Sequence, residues 1–241
     1  MSKLVIIAAD QIEIASLIRG WSHTRTAAQR HHVDLFENGD VVVGIGGIGP
    51  VAARIAADTA YKHCGGDVRA VLSVGFAGAL DPEMKVGDIF EPAKIICAAD
   101  DTEIINSGGK GILVSAGAVA GKDAKLSMLK RYGADAVDME AYSVADVARI
   151  YSVPFRAIKV VSDERDFPMP PMGRFINEQG RFRTGSFIIY SLIRPRIWPT
   201  VANLARNSHR AADALCARLK QEIGSAVNAD AKLRQISEMS R

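Results

Sequence analysis

Apolar and polar positions alternate between two periods along this chain, one of strands and one of helices. Lys3 to Ala9 is a near-continuous apolar run, the pattern of a strand buried on both faces. Asp10 suits the N-cap of a helix that follows, which places Glu13 in its first turn, just beyond the strand's C-terminal end. His31-Val33-Leu35 and Val41-Val43 flank Asn38-Gly39-Asp40, a hairpin signal. An alanine-rich helix runs from Pro50 to about Tyr61, with proline at the position where its missing N–H costs nothing. Further strands are predicted at Ala70 to Val74, from Val86 towards Cys97, at Gly111 to Ser115 and at Pro154 to Val161. Further helices are predicted at Lys122 to Tyr132, after Ala141, and from about Thr200 to Ile223.

Two glycine-rich turns interrupt these elements. Gly44, Gly46 and Gly49 match the dinucleotide pattern GxGxxG just before the first long helix. That reading needs a first βα turn and an acid ending the next strand. Here a hairpin comes first, and the next strand runs into Gly75-Phe76. The plainer reading is bare amides at a helix N-terminus facing an oxygen-rich ligand or an anion. The second turn is Gly75-Phe76-Ala77-Gly78-Ala79-Leu80.

The candidate chemistry centres on Ala136-Val137-Asp138-Met139-Glu140-Ala141. Two carboxylates at i and i+2 around an apolar Met fit neither an amphipathic strand nor a helix face. At the C-terminal edge of a strand they stand where open α/β sheets bind ligands. The alternative is an acidic helix start that favours the dipole. Ser162-Asp163-Glu164-Arg165-Asp166 reads as a solvated loop, except for Asp163, which directly follows a buried strand.

Composition narrows the classes. A chain of 241 residues fits one domain, and a net charge of +3 is too weak to argue for nucleic acid. The three cysteines, Cys64, Cys97 and Cys216, lack metal-ligand spacing and read as reduced, which makes a cytoplasmic protein the expectation. The N-terminal apolar run is broken at once by Asp10 and Glu13, so it reads better as a first strand than as a signal peptide.

Six blocks in this order resemble the nucleoside phosphorylase superfamily, most closely its 5′-methylthioadenosine/S-adenosylhomocysteine nucleosidases. They are Ala8-Ala9-Asp10-Gln11-Ile12-Glu13, Gly47 to Ala53, Gly75 to Leu80, Lys85 to Ile89, Val137 to Ala141 and Val160 to Asp163. The resemblance implies a single α/β domain over residues 1–241, a three-layer α/β/α arrangement with a mixed, partly barrel-like central sheet. It implies cleavage of a purine N-glycosidic bond. Glu13 would position or activate the attacking water, and Glu140 would hold the ribose hydroxyls over Met139. Asp163, with Ser162, would protonate the leaving base. Gly47, Gly75, Phe76, Ala77, Gly78, Asp138 and Val119 would complete the substrate site. No metal or organic cofactor is implied, and the partners implied are a nucleoside and a second copy of the chain in a dimer. Such chemistry needs an anion beside an oxocarbenium-like sugar and a placed proton donor. A carboxyl that donates near neutral pH needs burial or a like charge beside it.

The chain departs from that pattern in four places. Asp138 stands where glutamate is usual, and Phe76 replaces a small hydroxyl residue. Val119 occupies the place of the aromatic that stacks on adenine, and the stretch between Asp88 and Asp138 is short. No Lys or Arg lies between Ala70 and Ala79, which favours hydrolysis over phosphorolysis because phosphate needs charge-assisted bonds. Residues 166–200 form a variable segment of arginines and aromatics, followed by a helix over 200–223. Between Arg165 and Arg210 the only acids are Asp166 and Glu178. This segment is either a surface for a membrane or an apolar substrate, or a packed helix with solvated arginines. With the short middle and Val119 it is similar to the hopanoid-biosynthesis-associated branch, whose proposed substrate is adenosylhopane. Two rival functions stand beside nucleoside hydrolysis: phosphate-dependent phosphorolysis, and non-catalytic nucleoside or lipid binding.

Overall fold

The computed structural model describes residues 2–106 and 108–239, with side chains described to residue 225. Strand β1 (Lys3–Ala8) explains its own sequence. Leu4, Ile6 and Ala8 point to one face of the sheet, while Val5 and Ile7 point to the other, and both faces are covered. The helix expected after Asp10 is a single 3-10 turn, Gln11–Glu13. Asp10 caps it by accepting the Ile12 amide at 3.0 Å, and the Glu13 carboxylate turns back to accept the Asp10 amide at 3.1 Å.

Strands β2 (Ser22–Ala28), β3 (His31–Asn38) and β4 (Val41–Ile45) form an antiparallel meander beside β1. The β3–β4 hairpin is the predicted one. Strand β2 carries no apolar alternation because it is a largely exposed edge. Helix α1 (Pro50–His63) follows, then the twelve-residue β5 (Val68–Ala79). The second glycine-rich turn is thus no turn. Its residues continue β5 because neighbours pair with it on both edges. The strand expected from Val86 to Cys97 is broken into β6 (Ile89–Phe90) and β7 (Lys94–Cys97), with Pro92, which cannot donate to a ladder, between them. Then come β8 (Glu103–Ile105), β9 (Ile112–Ser115), α2 (Lys122–Tyr132), β10 (Ala136–Asp138), α3 (Ala141–Ile150) and β11 (Phe155–Asp163). The segment after Arg165 folds into 3-10 turns around α4 (Thr184–Leu192), and α5 (Trp198–Met239) outruns its predicted end at Ile223.

Among the described residues, eleven strands form one mixed sheet in the order β2-β3-β4-β1-β5-β10-β9-β7-β8, with β11 and then β6 on the other edge of β5. Helices α1 and α3 cover one face, and α5 covers the other. Strand β5 is where the sheet divides. Along one edge it pairs with β11 from Val71 to Gly78. Along the other it pairs first with β1, parallel, up to Ser73, and then with β10, antiparallel, at Gly78 and Ala79. Strands β1 and β10 therefore run towards each other, and their C-terminal ends meet over a gap opposite Val74 to Ala77. Such a switch point is where α/β sheets take ligands.

Helix α5 belongs to the core rather than to a tail. Ala211, Leu215, Cys216 and Leu219 are buried against Leu4, Ile6, Ile14 and Phe36. We expect Leu215→Ala to cost about 2–5 kcal/mol, the usual range for emptying a buried leucine site, read from urea unfolding with an unchanged m value.

Candidate active site

The gap at the division of the sheet opens into a cavity of about 480 Å³. Glu13, Glu140 and Asp163, from three distant parts of the chain, all line it. Glu13 comes from the turn after β1, Glu140 from the residue before α3, and Asp163 from the last position of β11.

Glu13 is held by three backbone amides. Its Oε2 accepts from Ala9 at 3.0 Å and Asp10 at 3.1 Å, and its Oε1 accepts from Phe76 at 2.9 Å. Gly75 makes this approach possible. It has φ +133°, and a Cβ there would lie 2.7 Å from Glu13 Oε1. Glu140 Oε1 accepts the Gly49 amide at 2.8 Å, so the bare amide at the start of α1 serves a protein carboxylate. That occupancy removes the dinucleotide reading of the first glycine turn. Asp138 is tied down by Ser115 Oγ at 2.6 Å, the Ala141 amide at 2.8 Å and Lys159 Nζ at 2.8 Å.

Lys159 is fully buried on β11. Burial by itself would push its ammonium down, but Asp138, then Glu140 and Glu13, outweigh it and hold the lysine above its ordinary value. The acids feel the same balance. Burial pushes Glu13 up, against the amides of Phe76 and Asp10 and the charge of Lys159. Burial first, and the Asp138 carboxylate second, push Glu140 up to about 7.

Of the two environments expected around Asp163, burial or a like charge, the structure has burial, at 4% exposed, and the charged neighbour is a cation. Lys125 Nζ donates to Asp163 Oδ2, and Ser162 Oγ donates to Oδ1 at 2.7 Å. Neither lysine belongs to a motif that marks it as a site residue. Lys159 did leave a signal, a charge between Ile158 and Val160 inside an apolar strand. Lys125 left none, because it stands in a polar helix and only its buried side chain reveals it.

Of the other predicted residues, Asp138, Met139, Ser162, Phe76, Ala77, Gly78 and Val119 line the cavity. Gly47 and Gly75 are not among its lining residues. Gly47 packs on the backbone of Gln179 and Gly180, where an added Cβ would meet Gln179 O at 2.8 Å, and Gly75 packs on Glu13. The 166–200 segment and α5 close the cavity with an apolar wall that includes Met169, Met172, Ile176, Phe182, Phe187 and Leu204. Among the described residues, no group of three His, Cys, Asp or Glu side chains is placed to hold a metal ion.

Neutralising Glu140 should stabilise the fold. Its carboxyl titrates near 4.5 when unfolded and near 7 when folded, so the native state keeps a proton that the unfolded chain releases between those values. Stability therefore falls as pH rises through that window. Glu140→Gln escapes the fall and should be more stable than the parent by about 1–3 kcal/mol at pH 8, and equal to it below pH 4.5. Urea unfolding at the two pH values reads the difference.

Comparison with known proteins places this fold. The phosphorylase superfamily description matches residues 3–102 and 110–177, most of the chain. Among solved structures, 5′-methylthioadenosine/S-adenosylhomocysteine nucleosidase from Helicobacter pylori is similar at 19% identity with a TM-score of 0.62, over 92% of this chain and 99% of that one. Futalosine hydrolase of Helicobacter pylori is similar at 19% identity and TM-score 0.62, over 91% and 98%. The Campylobacter jejuni 5′-methylthioadenosine/S-adenosylhomocysteine nucleosidase aligns at 18% identity and TM-score 0.62, over 92% and 100%. At these identities the neighbours speak for the fold, and the superfamily match speaks for descent: this chain belongs to the phosphorylase superfamily.

Proposed function

We propose that the chain is a purine nucleosidase that hydrolyses the N-glycosidic bond of an adenine nucleoside with a large apolar 5′ substituent. The observation that carries this reading is the convergence of Glu13, Glu140 and Asp163 on one nucleoside-sized cavity. In it, Glu13 takes the proton of the attacking water. Its fixed position between three amides aims the carboxylate, and its raised basicity brings it nearer the range useful to a general base. Glu140 accepts the ribose hydroxyls, and Asp163 serves the leaving base.

Hydrolysis is favoured over phosphorolysis by what the cations already do. Lys159 is spent on Asp138, Lys125 on Asp163, and the Phe76 amide on Glu13. A phosphate dianion entering there would meet carboxylates before it met free donors. The test is incubation with 5′-substituted adenosines, with and without phosphate. Adenine and free sugar should appear without phosphate, and Glu13→Gln should lower kcat by about 10²-fold or more. Strict dependence on phosphate would make the protein a phosphorylase. Ligand binding without turnover in the unmodified protein would make it a binding protein.

The apolar wall from Met169 to Leu204 supports the choice of 5′ substituent, of which the polycyclic lipid of adenosylhopane is an instance. The outer side of the same segment supports a membrane-surface site of action, in a cytoplasmic protein. Of the ten large apolar side chains exposed among the described residues, five lie within Ile188 to Trp198: Ile188, Ile189, Leu192, Ile193 and Trp198. Single exposed apolar residues need no explanation, but a cluster does. The exposed arginines Arg183, Arg194 and Arg196 border it, as at an anionic bilayer surface. No helix among the described residues is long and apolar enough to cross a membrane. The protein should co-sediment with vesicles containing phosphatidylglycerol, less with phosphatidylcholine alone, and Ile189→Glu should lose the binding. A homodimer, proposed on family likeness alone, is read by sedimentation equilibrium, and loss of the dimer in Ile189→Glu would assign this patch to the subunit contact instead.

A further inference from the structure

Lys125 has no role in the reaction as proposed above, yet it is 1% exposed and borders the cavity. Its ammonium is fully engaged: it donates to Asp163 Oδ2, to Glu164 O at 2.9 Å and, more weakly, to Asp163 O at 3.4 Å. The pair is pressed onto β5. A Cβ on Gly78 would lie 2.9 Å from Lys125 Cε and 3.1 Å from Asp163 Oδ2, so a glycine is what lets the two side chains meet there.

An ion pair of this kind poses a chemical problem for the leaving group. A carboxylate facing an ammonium carries no proton of its own, yet a purine departs as a neutral base only if one of its nitrogens is protonated. Two side-chain donors share a hydrogen bond with Asp163, the Ser162 hydroxyl and the Lys125 ammonium, and of the two the ammonium is much the stronger acid. With both side chains buried, charge-separated and neutral forms of such a pair differ by one short proton shift.

We propose that Lys125 is the proton source for the leaving purine and Asp163 the carrier. This inference rests on the reading of Asp163 as the group beside the base. A Lys125 N–H bond breaks as an O–H bond forms on Asp163, leaving a neutral amine and a neutral acid. That O–H then breaks as an N–H forms on the purine ring, while the electron pair of the glycosidic bond passes to the base. Asp163 ends as a carboxylate, the base leaves neutral, and Lys125 regains a proton from water once the base has left the cavity. Ser162, donating to Oδ1, keeps the carboxyl in one orientation throughout. Lys125 is thus a positioning and proton-supplying residue that acts through Asp163.

The surrounding charges leave this role to the pair. On α2, Lys122 faces Asp166 at 3.1 Å, and Asp123 is exposed. After β11, Glu164 faces Lys85 at 3.8 Å, and Arg165 faces Asp166 at 3.1 Å. Asp10, Glu13, Asp138 and Glu140 line other parts of the cavity, with His209 of α5.

The test compares Lys125→Arg, Lys125→Met and Asp163→Asn through the pH dependence of kcat and kcat/KM for adenine release. Arginine keeps the charge and the ion pair but does not give up a proton. Lys125→Arg should therefore lose about 10²-fold in kcat at every pH, with KM little changed. Lys125→Met leaves Asp163 to carry its own proton. Its basic limb should move acidward by about one pH unit or more, with activity at the acidic end within about tenfold of the parent. A Lys125→Arg enzyme as fast as the parent overturns the proposal, and so does a Lys125→Met enzyme slowed equally at all pH. If Lys125→Met does not fold, Lys125→Arg decides alone, with thermal unfolding confirming its fold. Asp163→Asn separates the two levels of argument. Full activity in that variant removes Asp163 as the acid, whereas an inactive Asp163→Asn beside a fully active Lys125→Arg removes only the proton supply.

Discussion

One ammonium lies beneath three carboxylates in this protein, and the site is built around it. Lys159 is buried, touches Asp138 at 2.8 Å and shares its field with Glu140 and Glu13. Taking an ammonium and several carboxylates out of water is costly, and it is sustained only where attraction and hydrogen bonds are nearly complete. Here they are. Asp138 also takes Ser115 Oγ and the Ala141 amide, Glu140 takes the Gly49 amide, and Glu13 takes three amides. Because those donors sit on β9, α3, the start of α1 and β5, one electrostatic demand fastens together elements from both halves of the sheet.

That demand is met where the backbone topology leaves room for it. Strands β1 and β10 approach each other along one edge of β5 and stop short, so their C-terminal ends deliver Glu13 and Glu140 to the same gap. The parallel strand β11 brings Asp163 alongside Gly78 from the other edge. Two glycines of β5 keep the space clear, Gly75 for Glu13 and Gly78 for the Lys125–Asp163 pair. A side chain at either position would occupy the place of a charged group, so these glycines act through what they leave empty.

The C-terminal third completes the cavity from outside. The Ile48 amide donates to Gly180 O at 2.7 Å, and Gly47 lies against Gln179, which pins this segment over the start of α1. Phe175, Phe182, Phe187 and Tyr190 pack edge to face with ring centroids 5.2 to 6.4 Å apart. Phe187 of α4 faces the cavity beside Phe182, while Ile188, Ile189 and Leu192 of the same helix as Phe187 face solvent. One short helix is therefore apolar on both sides. The inner side belongs to the core and cavity, and the outer side leaves Ile188, Ile189 and Leu192 exposed.

Much of this was written in local pattern. The doubly buried β1, the β3–β4 hairpin, α1 behind Pro50, α2, and the strand-to-helix step around Asp138 and Glu140 follow from periodicity and turn chemistry, which act over a few residues. The three acids were legible because each ends or follows an apolar strand, where a charge has no packing reason to be. What the local pattern misread, it misread for want of partners. The glycine-rich stretch from Gly75 to Ala79 looks like a turn until β10 and β11 pair with it, and β2 has no apolar face to announce it. Lys125 reads as a solvated helix residue until Asp163 is placed beside it. Which cation meets which carboxylate depends on contacts 21 to 38 residues apart, as in Lys159–Asp138 and Lys125–Asp163, and only the assembled sheet brings those charges together.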